Sequence, residues 1–377
     1  MFSNFLKMKK STKIFTVISR LLVGCVFIFS GFVKGIDPLG TAYRIEDYFI
    51  AFGTQWAIPS ALYLSVFLCT VEFSVGILLL LNVRIKEVAW LLLLMMLFFT
   101  CTTFYDALYN PVPDCGCFGD AIKLTNWQTF LKNIILMIFV LTVFLNRKKI
   151  KPCFRVKSEI VIIFLTIITF DAFSMYNYRH LPVIDFMSWK VGNKMFNEHP
   201  LPVKCYLTYR NKETGETKEY LSPDFPYNDT AWVAKWEFVS QRIEDPNSLK
   251  GTDLQITDSS GNDVTSEFIR NPGYQFILVA YDLEKTHLKA FTKINDFYGL
   301  AEKDGHSLIA LYSIGNVKSF INKTKAAYAF YSADDVILKT MVRANPGLLL
   351  LKNGVVLAKW HYHDFPDYNQ VKKKYLK

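Results

Sequence analysis

Residues 60–81 read SALYLSVFLCTVEFSVGILLLL, with Glu72 the one formal charge in an otherwise apolar run. A helix rises about 1.5 Å per residue, so about 20 such residues cross a hydrocarbon layer of about 30 Å. Four more runs have that character: Ile14–Val33, Val88–Phe104, Trp127–Leu145 and Ile160–Tyr176. The third and fifth are the shortest. The fourth carries Lys132 and Asn133 one turn in, which puts its first turn at an interface. The expected fold is an α-helical membrane bundle of about five spans followed by a soluble α/β region.

Composition agrees with that division. Hydrophobic residues make up 51% of the 377 positions, concentrated before residue 180, and the remainder has the turns and mixed charge of a soluble domain. The net charge of +10 comes largely from Lys and Arg flanking the apolar runs. That pattern belongs to membrane orientation and argues against a nucleic-acid partner. Lys7, Lys9, Lys10 and Lys13 precede the first run, but no small-residue cleavage site follows. An uncleaved first span is expected.

Basic residues alternate along the loops. The tail before span one and the connections holding Arg84, Lys86 and Arg147–Lys157 are rich in Lys and Arg. The loops 34–59 and 105–126 are balanced or acidic. The positive-inside rule then places the N-terminus in the cytoplasm of a bacterial inner membrane and everything after span five in the periplasm. Of seven cysteines, Cys25, Cys69 and Cys101 fall in or beside spans and Cys153 on the cytoplasmic side. Only Cys115, Cys117 and Cys205 face the oxidising compartment.

Beyond the spans, 204–221 reads as a hairpin, with period-two patterning around a turn at 211–215. After Asp253 the pattern becomes strand 276–281, helix 288–303, strand 307–312, helix 317–324, a short extended piece 329–331 and a helical turn 338–342. Asn345-Pro346 then precedes two apolar runs joined by Asn353-Gly354, a strong hairpin signal. This order resembles the thioredoxin-like fold in its periplasmic TlpA/ResA form. The resemblance implies that Pro346 is a cis-proline facing an active site. It also implies a Cys-x-x-Cys after the first core strand, where this chain has Asp282-Leu283-Glu284-Lys285-Thr286-His287. A domain without that thiol pair does no exchange chemistry of its own. His287, alone at a helix start, reads as a surface polar residue.

The first four spans carry, in order, Arg20-Leu21-Leu22-Val23-Gly24, Phe29–Lys34, Asp37-Pro38, Glu72–Gly76 and Pro113-Asp114-Cys115-Gly116-Cys117-Phe118-Gly119-Asp120. This set resembles the DoxX-like membrane proteins, in particular the MauE branch. The resemblance implies a link to disulfide formation in an oxidoreductase subunit, and DoxX proper implies quinone as cofactor. The expected domains are 1–146 (DoxX/MauE-like), 147–180 (cytoplasmic loop and fifth span), 181–250 (membrane-proximal β unit) and 251–377 (thioredoxin-like, redox-inactive).

Cys115 and Cys117 are the candidate redox pair. Two thiols separated by one glycine form a strained, easily reduced disulfide. The same residues could instead pair with Cys205 or simply pack. Two cysteines alone are too few for a metal site, so no metal is expected. Glu72 is a buried intramembrane carboxylate, a costly feature that asks for a partner or a function. Arg20 is its expected partner, and Asp171 in span five has none nominated. No inverted repeat suggests a transporter. The first reading is a membrane protein presenting an inactive domain to a periplasmic or envelope protein, with thiol–disulfide redox possible at the Cys-Gly-Cys loop. The alternative is a quinone-coupled thiol–disulfide oxidoreductase using Cys115 and Cys117.

Overall fold

Apolar side chains at nearly every position make long helices the only way to satisfy the backbone of the first half of the chain in lipid. The computed structural model describes residues 10–112, 116–196, 202–244 and 254–376. It divides into two compact units, Met1–Phe186 and Met187–Lys377.

The first unit is helical. In order come α1 (Lys10–Ile36), α2 (Pro38–Ala51), a 3-10 segment (Gln55–Ser60), α3 (Ala61–Leu81), α4 (Ile85–Tyr109), α5 (Asn126–Asn146) and α6 (Val156–Arg179). All but α2 are long and apolar enough to cross a membrane, giving five spans. Large apolar side chains point outward, with Phe67 66%, Phe98 63% and Leu165 63% exposed. Such a surface is stable against lipid and not against water. The chain is a multi-pass membrane protein.

Four of the spans run beyond both expected ends, while α3 stops at Leu81 as expected. The third extends most, from 85 to 109, because Glu87 and Asp106 sit in helical turns that hydropathy alone leaves out. A larger correction concerns 34–59, expected as a loop. Asp37 caps α2 by accepting the Gly40 N–H at 2.9 Å, and Pro38 occupies the first turn, where its missing N–H is harmless.

Close approach of α1 and α3 fixes the bundle. A Cβ on Gly31 would sit 2.6 Å from the Phe73 nitrogen, and one on Gly76 2.7 Å from the Ile28 nitrogen. Small residues let the backbones meet, as they do between membrane helices generally. The antiparallel register that results sets Gly31 against Phe73 and Gly24 against Leu80.

The second unit is mixed α/β. A three-stranded antiparallel sheet, order β2-β1-β3, comprises β1 (Lys204–Asn211), β2 (Thr217–Leu221) and β3 (Trp236–Glu244), with α7 (Thr230–Lys235) before β3. The expected hairpin is β1–β2, while β3 was not foreseen because its residues alternate without an apolar face. Then follow α8 (Thr265–Ile269), β4 (Tyr274–Val279), α9 (Phe291–Lys303), β5 (Ser307–Tyr312), α10 (Val317–Thr324), β6 (Ala329–Ser332), α11 (Asp335–Met341), β7 (Gly347–Lys352), β8 (Val355–His361) and α12 (Tyr368–Tyr375).

The strands β4 to β8 form one sheet, order β6-β5-β4-β7-β8, parallel from β6 to β4 and antiparallel from β4 to β8. Phe276 and Leu278 on one face and Ile277 and Val279 on the other are all fully buried. A sheet covered on both sides reads as a continuous apolar run, which is why β4, β5 and β7 were visible in the sequence. Asn353 and Gly354 both take positive φ, as a two-residue hairpin turn requires. Residues 187–196 run along β8, with Gly192 N–H donating to Val356 O and Met195 N–H to Gly354 O.

Candidate functional site at the Cys-Gly-Cys loop

Glu72 lies in α3 with its side chain 2% exposed, and the partner it finds is Lys34, whose Nζ donates to Oε1 at 2.6 Å. Arg20 is not the partner. The α1–α3 register places Glu72 beside residues 30–34, and Arg20 lies about twelve residues, roughly 18 Å, further along the helix. Arg20 is half-buried toward the opposite end of the bundle. Lys34 sits in the last turn of α1, where the helix dipole favours a cation. Ser30, one turn back on the same face, brings its Oγ within 2.9 Å of Glu72 Oε2.

The same Ser30 Oγ lies 2.8 Å from the carbonyl oxygen of Cys117. The loop between α4 and α5 therefore rests on the buried ion pair. Lys34 is near enough to interact electrostatically with both Cys117 and Cys69. Cys69, fully buried one turn from Glu72 on α3, is a second sulfur near Lys34 beside Cys117.

Three further contacts hold the loop. Arg44 of α2 donates from Nη2 to Asp120 Oδ1 at 3.1 Å, and Asp120 also faces Lys123 at 3.7 Å. The Arg44 stem crosses Gly116, where φ is +60° and a Cβ would meet Cδ at 2.1 Å. Only glycine allows both that conformation and that approach. The Phe118 ring lies 5.5 Å from Phe29, tilted by 59°, with Lys132 Nζ 4.4 Å above its ring. Cys115, with Pro113 and Asp114, lies outside the described residues.

Residues 12–146 match the family model of methylamine utilisation protein MauE. The MauE-like stretch takes in the whole site, from Ser30 to Lys132, and leaves α6 and the second unit outside it. No curated protein and no solved structure matches the chain.

Other residues singled out by sequence are placed as follows. Asp171 accepts a hydrogen bond from the Thr70 hydroxyl, joining α6 to α3. Cys205 is in β1, opposite Ile243. No group of metal-ligating side chains occurs among the described residues. In the second unit the Asn345–Pro346 peptide is cis. In the β4–α9 connection Asp282 Oδ1 accepts the Glu284 and Lys285 N–H groups, Asp282 Oδ2 faces Lys285 Nζ at 3.4 Å, and Asn345 Nδ2 donates to Asp282 O at 2.8 Å. His287 is exposed and stacks on Tyr362 at 4.7 Å.

Sequence reasoning missed Ser30, Lys34 as partner, Arg44 and Asp120. The signals were present. Ser30 and Lys34 are spaced i, i+4, so they share a helix face, and Asp37-Pro38 marks the start of the helix that carries Arg44.

Proposed function

We propose that the chain is a DoxX/MauE-like protein of a bacterial inner membrane whose Cys115-Gly116-Cys117 loop moves electrons from the thiols of a periplasmic or envelope protein to a membrane quinone. The exchange balances in two steps. A Cys115–Cys117 disulfide and two substrate thiols give a substrate disulfide and two loop thiols. Those thiols and a quinone then give back the loop disulfide and a quinol.

The observation that carries this reading is the buried Lys34–Glu72 pair reaching Cys117 through Ser30. A connecting loop needs no charged support inside a membrane protein, and intramembrane charges are costly enough to mark function. A cation beside a cysteine favours the reactive thiolate. The alternation of basic loops supports a periplasmic location for this loop and for the C-terminal unit.

The C-terminal sheet, with its parallel and antiparallel halves and Asn345-Pro346 ahead of β7, supports a thioredoxin-like fold. The chain has no cysteine after Cys205, so this domain serves to bind rather than to exchange. That absence is also what favours the second reading, a non-enzymatic anchor whose cysteines are structural.

The test uses full-length protein in lipid vesicles, fully reduced, given a short-chain quinone. Quinol formation matched by loss of two alkylatable thiols is expected, abolished by Cys115→Ser or Cys117→Ser. No quinol above the double serine variant contradicts the oxidoreductase reading.

A further inference from the structure

Lys132 is a cation in the second turn of α5 that the structure leaves without a counter-charge. The helix starts at Asn126, capped by Thr125, so six residues place Lys132 about 9 Å below that end of the bundle. No carboxylate pairs with it among the described residues, and Asp120 of the adjoining loop is taken by Arg44 and Lys123. Its Nζ stands 4.4 Å over the ring of Phe118. A ring face attracts the charge, but it accepts no conventional hydrogen bond from the three N–H donors of an ammonium.

The aromatic surface under that ammonium opens to lipid. Phe29 of α1, its ring centre 5.5 Å from that of Phe118, is 42% exposed on the outside of the bundle. Phe29 lies seven residues before the end of α1 at Ile36, about 10 Å, so it and Lys132 sit at similar depth. Phe118 follows Cys117 directly in the chain. Two aromatic rings open to hydrocarbon, a cation with donors to offer and a cysteine one residue away meet at this point.

We infer that Phe29, Phe118 and Lys132 form the headgroup site for a membrane quinone, the two rings holding its flat ring and Lys132 Nζ donating to a carbonyl oxygen. The site rests on the thiol–quinone exchange proposed above and gives the quinone a place beside Cys117. A quinone is flat, dissolves in the bilayer core and carries two oxygens that accept hydrogen bonds. Tilted aromatic packing suits its ring. An ammonium held in an apolar setting stabilises the charge that develops on the oxygen it faces. Two loop thiols and one quinone give one disulfide and one quinol, both thiol hydrogens ending on the quinol oxygens, and Lys132 keeps its own proton. A lipid phosphate would also attract Lys132, since lysines near span ends commonly reach for headgroups, but it would leave the two rings unused.

The test uses a photoreactive azido derivative of a short-chain quinone and full-length Cys115→Ser/Cys117→Ser protein in phosphatidylcholine vesicles. Without the loop thiols no turnover occurs, so labelling reads the site apart from the redox chemistry. Peptide mass spectrometry is expected to find the label on α1 around Phe29 and on α5 around Lys132. Lys132→Met is expected to raise the half-saturating quinone concentration roughly tenfold, the size of one hydrogen bond from a charged group. Lys132→Arg, which keeps the donor, should restore most of that loss, and Phe29→Leu should cost roughly threefold. Label found elsewhere on the bundle, or saturation unchanged by Lys132→Met, overturns the site. Strong suppression of labelling by phosphatidylglycerol vesicles also overturns it, because Lys132 is then a lipid-phosphate anchor.

Lys132 also braces Phe118, so the alkylation rate of reduced Cys117 is followed in Lys132→Met with the loop cysteines present. A change smaller than the binding loss is expected. An equal change means that Lys132 only supports the loop, and the site falls. Cysteine-dependent quinol formation with the label elsewhere sinks the site and leaves the exchange standing. Label at Phe29 and Lys132 without cysteine-dependent quinol sinks the exchange and leaves the site.

Discussion

The two units each set a buried carboxylate beside a lysine at a key connection, but desolvate the pair to different degrees. In the helical unit the α4–α5 loop carries cysteines and rests, through the half-buried Ser30, on a buried lysine and glutamate. In the α/β unit the β4–α9 connection is closed by the buried Asp282 carboxylate, which accepts the Glu284 and Lys285 N–H groups and faces Lys285 Nζ at 3.4 Å, and by Asn345, which donates to the Asp282 carbonyl. The difference lies in desolvation: the pair beneath the α4–α5 loop is buried on both sides, whereas Lys285 stands in solvent, where an ion pair contributes little.

The comparison breaks most readily at the ion pair. Lys34→Met leaves Glu72 buried without its counter-charge, and a loss of about 3–5 kcal/mol is expected from unfolding in detergent micelles. A loss below about 1 kcal/mol means that water reaches Glu72 and the support is not desolvated. In the other unit, stability comes from apolar packing. Leu278 is fully buried in the central strand β4, and Leu278→Ala is expected to cost about 2–5 kcal/mol, read from denaturant unfolding of the full chain.

Gly116→Ala sharpens the account of the loop. Its positive φ and the Arg44 stem at 2.1 Å from the added Cβ force Arg44 off Asp120. Strain of about 1–3 kcal/mol confined to the loop is expected, seen as faster alkylation of Cys117 with the bundle's unfolding midpoint little changed. By contrast, Arg210 and Glu237 pair at 2.7 Å on an exposed sheet face, and Glu237→Gln is expected to cost less than about 1 kcal/mol.

The smallest expected effect is acid-dependent. Lys372 and Tyr368 both donate to the Asp304 carboxylate at 2.7 Å, holding its pKa below the ordinary carboxylate value. A lowered folded-state pKa contributes stability above the ordinary carboxylate range, lost as pH falls through the lowered value. Lys372→Met should therefore move acid unfolding of the C-terminal unit to slightly higher pH, as followed by circular dichroism. No movement means that the pair is screened by solvent.

How much of this was legible in the sequence follows from the kind of information each feature needs. Span positions and the buried strands β4, β5 and β7 depend on local apolarity, so they could be read directly. Strand β5 and helix α10 fell on their expected residues. Helix α2 was missed because its charged residues Arg44, Glu46 and Asp47 hide it from a hydropathy reading, although its Asp-Pro start marks it. Strand β3 was missed because neither face is buried, leaving no period to read. At the site, Glu72, Cys115 and Cys117 stood out by residue type. Their helpers did not. Lys34 and Ser30 become partners of Glu72 only through the register between α1 and α3, which Gly31 and Gly76 set in three dimensions. Choosing Arg20 instead treated depth in the membrane as the only constraint and ignored that register.

The central claim is that Cys115 and Cys117 form a redox couple supported from below by the helices. The most direct measurement equilibrates full-length protein in lipid vesicles with graded ratios of reduced to oxidised thiol buffer and counts alkylatable sulfurs at both positions by mass spectrometry. The account predicts that the two thiols disappear and return together as one two-electron couple. If both remain alkylatable at every ratio, or if either pairs with Cys205 instead, the account is contradicted.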